Sequence, residues 1–222
     1  QGLSAHIPLV DEPLHSLLNR VRRVFDLNAD GATLHDFLVA DPQLEGWVKR
    51  APGLRVQGAW DGFETAVRAV LGQQVSVARG TDLARKMIEQ YGEGSFPSPE
   101  QLLNKDVAEL GMPGRRGRAV VKLAELAVAG ELIIDDCQDF DGLQAQLEAL
   151  EGIGPWTANY IRMRALKDPD AFPDNDWVVL KQLECTASKA RARSRAWQPW
   201  RAYALMYLWY AAGVKRTQRR AG

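Results

Sequence analysis

Cysteine is nearly absent: Cys137 and Cys185 are the only two in 222 residues. Two thiols cannot furnish a four-cysteine zinc or iron–sulfur centre, and such sparse use suits a reducing compartment. Net charge is absent as well, since 28 basic residues balance 28 acidic ones. No global field therefore draws the chain to a polyanion, and any nucleic-acid contact must come from a local basic patch or from backbone donors. No apolar run is long enough for a membrane span, no secretory signal is visible and no solenoid-length repeat recurs. A cytoplasmic protein with a sizeable core is expected.

The pattern that is present is almost wholly helical. Residues 4–10, SAHIPLV, read as one short strand. Leu14, Leu17, Leu18, Val21, Val24 and Phe25 then recur at helical spacing and form one apolar face. Asp30 or Thr33 suits the cap of the next helix, and residues 51–58 read as a loop. Asp61 suits the cap of a helix over 61–73, with a second helix over 74–91. Further helical patterns cover 99–104, 106–110, 114–129, 140–150, 154–166, 176–184, 186–196 and 199–213, the last opened by Pro199 in its first turn. Residues 131–140, rich in acid, read as a solvated loop. The expected class is mainly all-α, in two lobes with a cleft between them.

Within this pattern LEALEGIGPWTANYIRMRAL, residues 147–166, stands out. Gly152 and Gly154 let the chain turn sharply with positive φ and expose successive N–H groups. The helix opening at Pro155 adds the partial positive charge of its N-terminus, so one phosphate can be held without a side-chain charge. Ile153 fills the crease between the two helices. An ordinary helix–helix turn explains most Gly-x-Gly triplets, and the flanking residues decide.

Those residues, LEGIGPWTANY, resemble the hairpin of the helix-hairpin-helix DNA glycosylases, most closely the bacterial 3-methyladenine glycosylase II branch. RVFDL at 23–27, AVLGQQVSVA at 69–78, LGMPGRRGRAV at 110–120 and WQPWRAYALMYLWY at 197–210 agree, so the likeness covers almost the whole chain. It implies a helical glycosylase domain over 11–222, preceded at 1–10 by the remnant of an N-terminal α/β domain. A pocket aromatic that the family takes from that domain is then missing.

The resemblance implies further roles. AFPDNDWVVLK matches the segment of the catalytic aspartate and places it at Asp176, with Asp174 the close competitor. Read locally, Asp176 is equally a helix cap, and both roles can hold at once. A carboxylate there stabilises the positive charge that builds on deoxyribose as the base leaves, after the base has been flipped out. Trp156, Tyr160 and Trp209 match the base pocket, whose aromatic faces suit a cationic alkylated purine. Taken alone, each could be a core residue; Trp197 and Trp200 are read as core. Gln74 matches the residue inserted where the flipped nucleotide was. The hairpin residues Gly152, Ile153, Gly154 and Thr157, with Arg115 and Arg116, match strand contacts. Arg118 and Arg79 are further basic candidates, and Lys215, Arg216, Arg219 and Arg220 read as a solvated tail. Lys181 lies one place after the family's matching basic residue.

Two implications concern cofactors. The carbonyls of Glu148, Leu150 and Ile153 match positions that hold a monovalent cation, and no other cofactor is required. Trp156 stands where bifunctional relatives carry a Schiff-base lysine, which implies a monofunctional hydrolase leaving an abasic site. Substrate and partner are double-stranded DNA bearing 3-methyladenine or 7-methylguanine, handled by a monomer in a bacterial, nucleoid-associated setting. Two alternatives stay open: a non-catalytic helix-hairpin-helix module that only binds DNA, and a glycosylase for oxidised bases.

Overall fold

A computed structural model of the chain describes residues 13–135 and 137–221. The strand read over residues 4–10 lies outside them, as does Asp136 of the acidic loop. Every regular element among the described residues is helical. No described helix is long and apolar enough to cross a membrane.

Among the described residues twelve α-helices follow in order: α1 (Leu14–Phe25), α2 (Gly31–Val39), α3 (Glu45–Arg50), α4 (Gly62–Leu71), α5 (Val77–Tyr91), α6 (Pro99–Leu102), α7 (Gly114–Val128), α8 (Phe140–Glu148), α9 (Pro155–Ala165), α10 (Trp177–Leu183), α11 (Ala187–Ser194) and α12 (Arg201–Ala221). Short 3-10 turns occupy Val107–Leu110 and Arg195–Trp197.

Local chemistry sets many of the boundaries. Asp30, Asp61 and Asp139 each accept a backbone N–H of the helix that follows, satisfying donors with no intrahelical partner. Ser76 does the same for α5, which therefore starts at Val77 rather than continuing from residue 74. Gln74 stands in the intervening turn with φ 52°. The last helix departs from expectation at both ends: it begins at Arg201, with Pro199 in the turn before it, and runs to Ala221. α3, whose short pattern gave no clear period, is an addition. α1 forms as expected, but of its apolar face only Leu17 is buried, while Leu14, Leu18 and Phe25 stay exposed among the described residues.

Two apolar cores result. One gathers α4 to α9 around Val67, Leu71, Leu83, Leu123, Leu147 and Ile161. The other gathers α2, α3 and α10 to α12 around Leu38, Val48, Val179, Trp197 and Leu205. Each fully buried leucine or valine contributes roughly 1.5–3 kcal/mol. Tyr160 packs against both cores, so α9 lies at the seam between the two lobes.

A buried polar knot fastens that seam. Lys167 Nζ meets Asp26 Oδ1 at 2.8 Å, and the Tyr203 hydroxyl donates to Asp26 Oδ2 at 2.9 Å. Burial pushes the Lys167 ammonium below its ordinary value and the Tyr203 phenol well above its own. The knot joins the end of α1, the segment after α9 and the first turn of α12, and so ties the end of α9 to the start of α12.

Candidate active site

A cleft of about 1410 Å³ opens between the lobes. One wall carries the α4–α5 turn, the start of α7 and the hairpin between α8 and α9. The other carries the start of α10 and the later turns of α12.

The hairpin is built as the sequence suggests, with one correction. Only Gly152 has positive φ, at 96°. A Cβ there would also meet Ala119 Cβ at 3.0 Å and the Arg115 carbonyl at 3.1 Å, so both conformation and packing demand glycine. Gly154 is extended, with φ −101°, a conformation open to any residue, and a Cβ there would meet nothing within 4 Å. Neither the fold nor the backbone angle requires glycine at 154, but a close-approaching ligand would. Gly154 caps α9 with no side-chain hydrogen bond, and Pro155 follows at the first helical position. The N–H groups of Trp156 and Thr157 thus belong to the uncapped first turn beside the cleft. Ile153 is buried in the first core, as its role in the crease requires.

Thr157 behaves differently from a side-chain contact. It is only 3% exposed, and its hydroxyl accepts from Gln73 Nε2 at 3.0 Å. What it can offer a strand is its backbone N–H. The same Gln73 amide donates to the Gly152 carbonyl at 2.8 Å, while Arg116 Nη1 donates to the Gln73 carbonyl at 2.7 Å. Gln73 and Arg116 therefore lock the α4–α5 turn to the hairpin and hold Gln74 exposed beside the cleft. Sequence reading passed over Gln73; its one visible signal is its place beside Gln74 at a helix end. Arg115 remains exposed and 3.8 Å from Glu151, which also pairs with Arg118 at 3.3 Å. Arg79 is engaged by Asp82 and the Gly111 carbonyl, so it acts as a brace. Lys215 and Arg216, read as a tail, lie on the regular α12 and line the cleft. The side chains of Arg219 and Arg220 lie outside the described residues.

Across the cleft from the hairpin, Asp176 is 6% exposed and lines the cavity. It caps α10, its Oδ1 accepting the Val179 N–H at 2.9 Å. Two indoles complete its surroundings: Trp156 Nε1 donates to Oδ2 at 2.7 Å and Trp209 Nε1 to Oδ1 at 3.2 Å. The expected cap is therefore present, and the same carboxylate lines the cleft. Asp174 is ion-paired to Arg191 and is not among the cleft-lining residues.

Trp156, Tyr160 and Trp209 come together around this carboxylate. The Trp156 and Tyr160 rings stack at 5.3 Å with an interplanar angle of 17°, and Tyr160 meets Trp209 at 6.5 Å. All three line the cleft. Trp197 and Trp200 belong to the second core, as expected. Trp177, 70% exposed, stands at the rim with Lys181 Nζ 4.7 Å from its ring centroid. Helical periodicity gave no reason to single Trp177 out. Chemically, the cleft offers a phosphate-sized N-terminus, an aromatic slot for a planar group and a carboxylate beside that slot.

Comparison with known proteins places the chain in a family and a fold. A family model described as the AlkA N-terminal domain matches residues 3–61, a stretch that includes α1 to α3. The chain is 39% identical over 205 residues to a probable bifunctional transcriptional activator/DNA repair enzyme AlkA of Mycobacterium tuberculosis, covering 86% of this chain but 41% of that protein. It therefore spans less than half the length of that relative. It is 34% identical over 209 residues to DNA-3-methyladenine glycosylase 2 of Escherichia coli, covering 88% of this chain and 72% of that protein. Among solved structures, a 3-methyladenine DNA-glycosylase from Archaeoglobus fulgidus superposes with a TM-score of 0.77 at 21% identity, over 90% of this chain and 75% of that one. An 8-oxoguanine glycosylase/lyase of Clostridium acetobutylicum gives 0.78 at 21% identity, over 93% and 78%. At such identity these two establish the two-lobed helix-hairpin-helix fold.

Proposed function

The chain belongs to the DNA-3-methyladenine glycosylase 2 family, and from that premise we propose that it hydrolyses the N-glycosidic bond of alkylated bases in duplex DNA. 3-Methyladenine is the chief substrate and 7-methylguanine a further one, and the product is an abasic site. The observation that carries this reading is the Asp176 carboxylate, held by two indole N–H groups at the edge of the aromatic cluster they belong to.

Each part of the site has a task. The base leaves the stack, because its glycosidic bond is otherwise out of reach. It enters among Trp156, Tyr160 and Trp209, whose faces suit a planar, electron-poor ring. Gln74, exposed on its locked turn, fills the gap. As the C–N bond breaks, its electron pair leaves with the base and positive charge builds on the sugar. Asp176 stabilises that charge and orients the water whose oxygen bonds to C1′, with a proton released. The uncapped start of α9 holds the strand by a phosphate. With tryptophan at 156 the family's Schiff-base position carries no amine, which supports a monofunctional hydrolase. A cytoplasmic, monomeric enzyme acting at the chromosome follows from the same reading.

On the same reading, the hairpin carbonyls of Glu148, Leu150 and Ile153 would hold a monovalent cation. Glu148 closes α8 and the other two follow it, so these carbonyls lie at or past the helix end, where intrahelical partners run out, and neutral oxygens suit a singly charged hard ion. The Leu150 carbonyl also accepts the Ile153 N–H at 3.1 Å, which keeps the turn closed. Such an ion would add positive charge beside the bound phosphate.

Chromatography of bases freed from methylated duplex DNA tests the proposal, with 3-methyladenine expected in the released fraction. Binding to that duplex without release of any base would favour a module that only binds DNA. Release of 8-oxoguanine from an oxidised duplex, with none from the methylated one, would favour the oxidised-base reading.

A further inference from the structure

Trp156, Tyr160 and Arg164 follow one another at four-residue intervals along α9 and so share one helix face. The last member of this ladder is a cation. Arg164 Cζ lies 5.6 Å from the Tyr160 ring centroid and 5.8 Å from that of Trp209. Its Nη1 donates to the Gln57 carbonyl at 3.0 Å, which anchors the guanidinium. Its Nε is buried without a hydrogen-bond partner, and no carboxylate pairs with it among the described residues. The charge is therefore fixed, partly buried and lacking a counter-ion, against two of the three rings that form the aromatic slot. Its field is felt nearby: Lys167 is pushed down chiefly by burial, and Arg164 adds to the effect.

The consequence for an incoming base follows from electrostatics. Aromatic rings attract cations because their faces are electron-rich. Rings that already serve one cation have less to offer a second, and a cationic base stacked on them meets a like charge in a poorly screened setting. A neutral base stacks on the same rings without that penalty. Resting on the glycosylase reading above, we infer that Arg164 is a specificity-determining residue that acts through Tyr160 and Trp209. It tempers the preference of the slot for positively charged bases and so admits neutral lesion bases.

The test compares release of one cationic base, N7-methylguanine, and one neutral base, hypoxanthine, from otherwise identical duplexes under single-turnover conditions. Arg164→Met and Arg164→Gln should raise the cationic-to-neutral rate ratio about three- to tenfold, while Arg164→Lys should leave it near that of the unaltered chain. Arg164→Gln keeps an amide donor in place of the guanidinium, and circular dichroism verifies that each variant is folded. A merely structural role would slow both bases alike, so an unchanged or lowered ratio in the two neutral variants overturns the inference. Release of N7-methylguanine alone by the unaltered chain would overturn it too, while leaving the glycosylase reading intact. Release of neither base, with 3-methyladenine still freed from methylated duplex, would overturn the inference alone, and release of none of the three would overturn both.

Discussion

The indole N–H of Trp156 donates to Asp176 Oδ2 at 2.7 Å across twenty residues of chain, while the ring of Trp156 stacks on Tyr160. One side chain thus forms part of the aromatic slot with its face and aims the carboxylate with its edge. Trp209 repeats the arrangement from α12, on the other carboxylate oxygen. The aromatic cluster and the carboxylate are one hydrogen-bonded unit, and substitutions in it should be read as such.

Asp176→Asn should lower single-turnover base release by about 10²–10³-fold, the usual loss when a transition-state electrostatic group is removed. The amide oxygen can still accept the Val179 N–H, so α10 should keep its cap, but the amide nitrogen then faces the Trp156 N–H donor, so the melting temperature should fall by a few degrees without loss of the fold. Affinity for the methylated duplex, followed by fluorescence anisotropy, should be retained. Unchanged release would remove Asp176 from the chemistry.

Trp156→Phe keeps a ring for stacking but deletes the donor to Asp176. A hydrogen bond to a charged acceptor is worth about 1.5–3 kcal/mol, so the chemical step should slow roughly 10- to 100-fold. The effect belongs in the single-turnover rate at saturating enzyme rather than in duplex affinity. Loss of affinity with an unchanged rate would assign Trp156 to strand binding alone.

The two hairpin glycines should separate stability from binding. Gly152→Ala places a side chain at φ 96° and against Ala119 and the Arg115 carbonyl, so urea denaturation should show a loss of about 1–3 kcal/mol. Gly154→Ala meets only open space, so its cost to stability should stay below about 1 kcal/mol. On the proposed mode of strand binding it should nevertheless weaken duplex binding several-fold, because the added methyl group would stand where the phosphate is proposed to dock. The same stability loss in both variants would contradict the assignment of Gly154 to ligand approach.

Asp170 supplies a pH-dependent increment of stability. Burial alone would push its carboxyl up, but bonds from Arg201 at 2.7 Å and Gln198 at 3.2 Å outweigh burial and hold it below the ordinary range. A depressed folded-state value means that the increment is fully present above the unfolded value of about 4 and is lost as pH falls through the folded value. Asp170→Asn should therefore cost about 1–2 kcal/mol at pH 7, discounted for partial exposure, and progressively less as the pH drops below about 4. Denaturation of both proteins across that range measures the convergence.

Much of this architecture can be read from local patterns. Asp30 and Asp61 announce their helices because capping is a short-range bond between a side chain and an N–H a few residues away, whereas Asp139, read as part of a solvated acidic loop, turns out to cap α8. The Gly-Ile-Gly turn is legible for the same reason. Errors arose where a local signal competed with another. Gln-Gln-Val reads as continuous helix, yet Ser76 is the better cap, and the chain turns at Gln74 before α5 begins. Pro199 suits a helix start, yet the turn at Trp197–Trp200 delays α12 to Arg201.

By itself the sequence determined the helical class, the hairpin, the capped helix starts and a short list of aromatic and acidic candidates, since spacing and caps act over one or two turns. Tertiary structure alone decided which candidates meet. It paired Asp174 with Arg191 and turned Asp176 toward two indoles, although both aspartates sit in one short segment. It also brought Gln73 to the hairpin it braces and Arg164 over the rings of Tyr160 and Trp209. Such pairings depend on the angles at which distant helices pack, and those angles are set by how two cores fill their volume rather than by any local pattern.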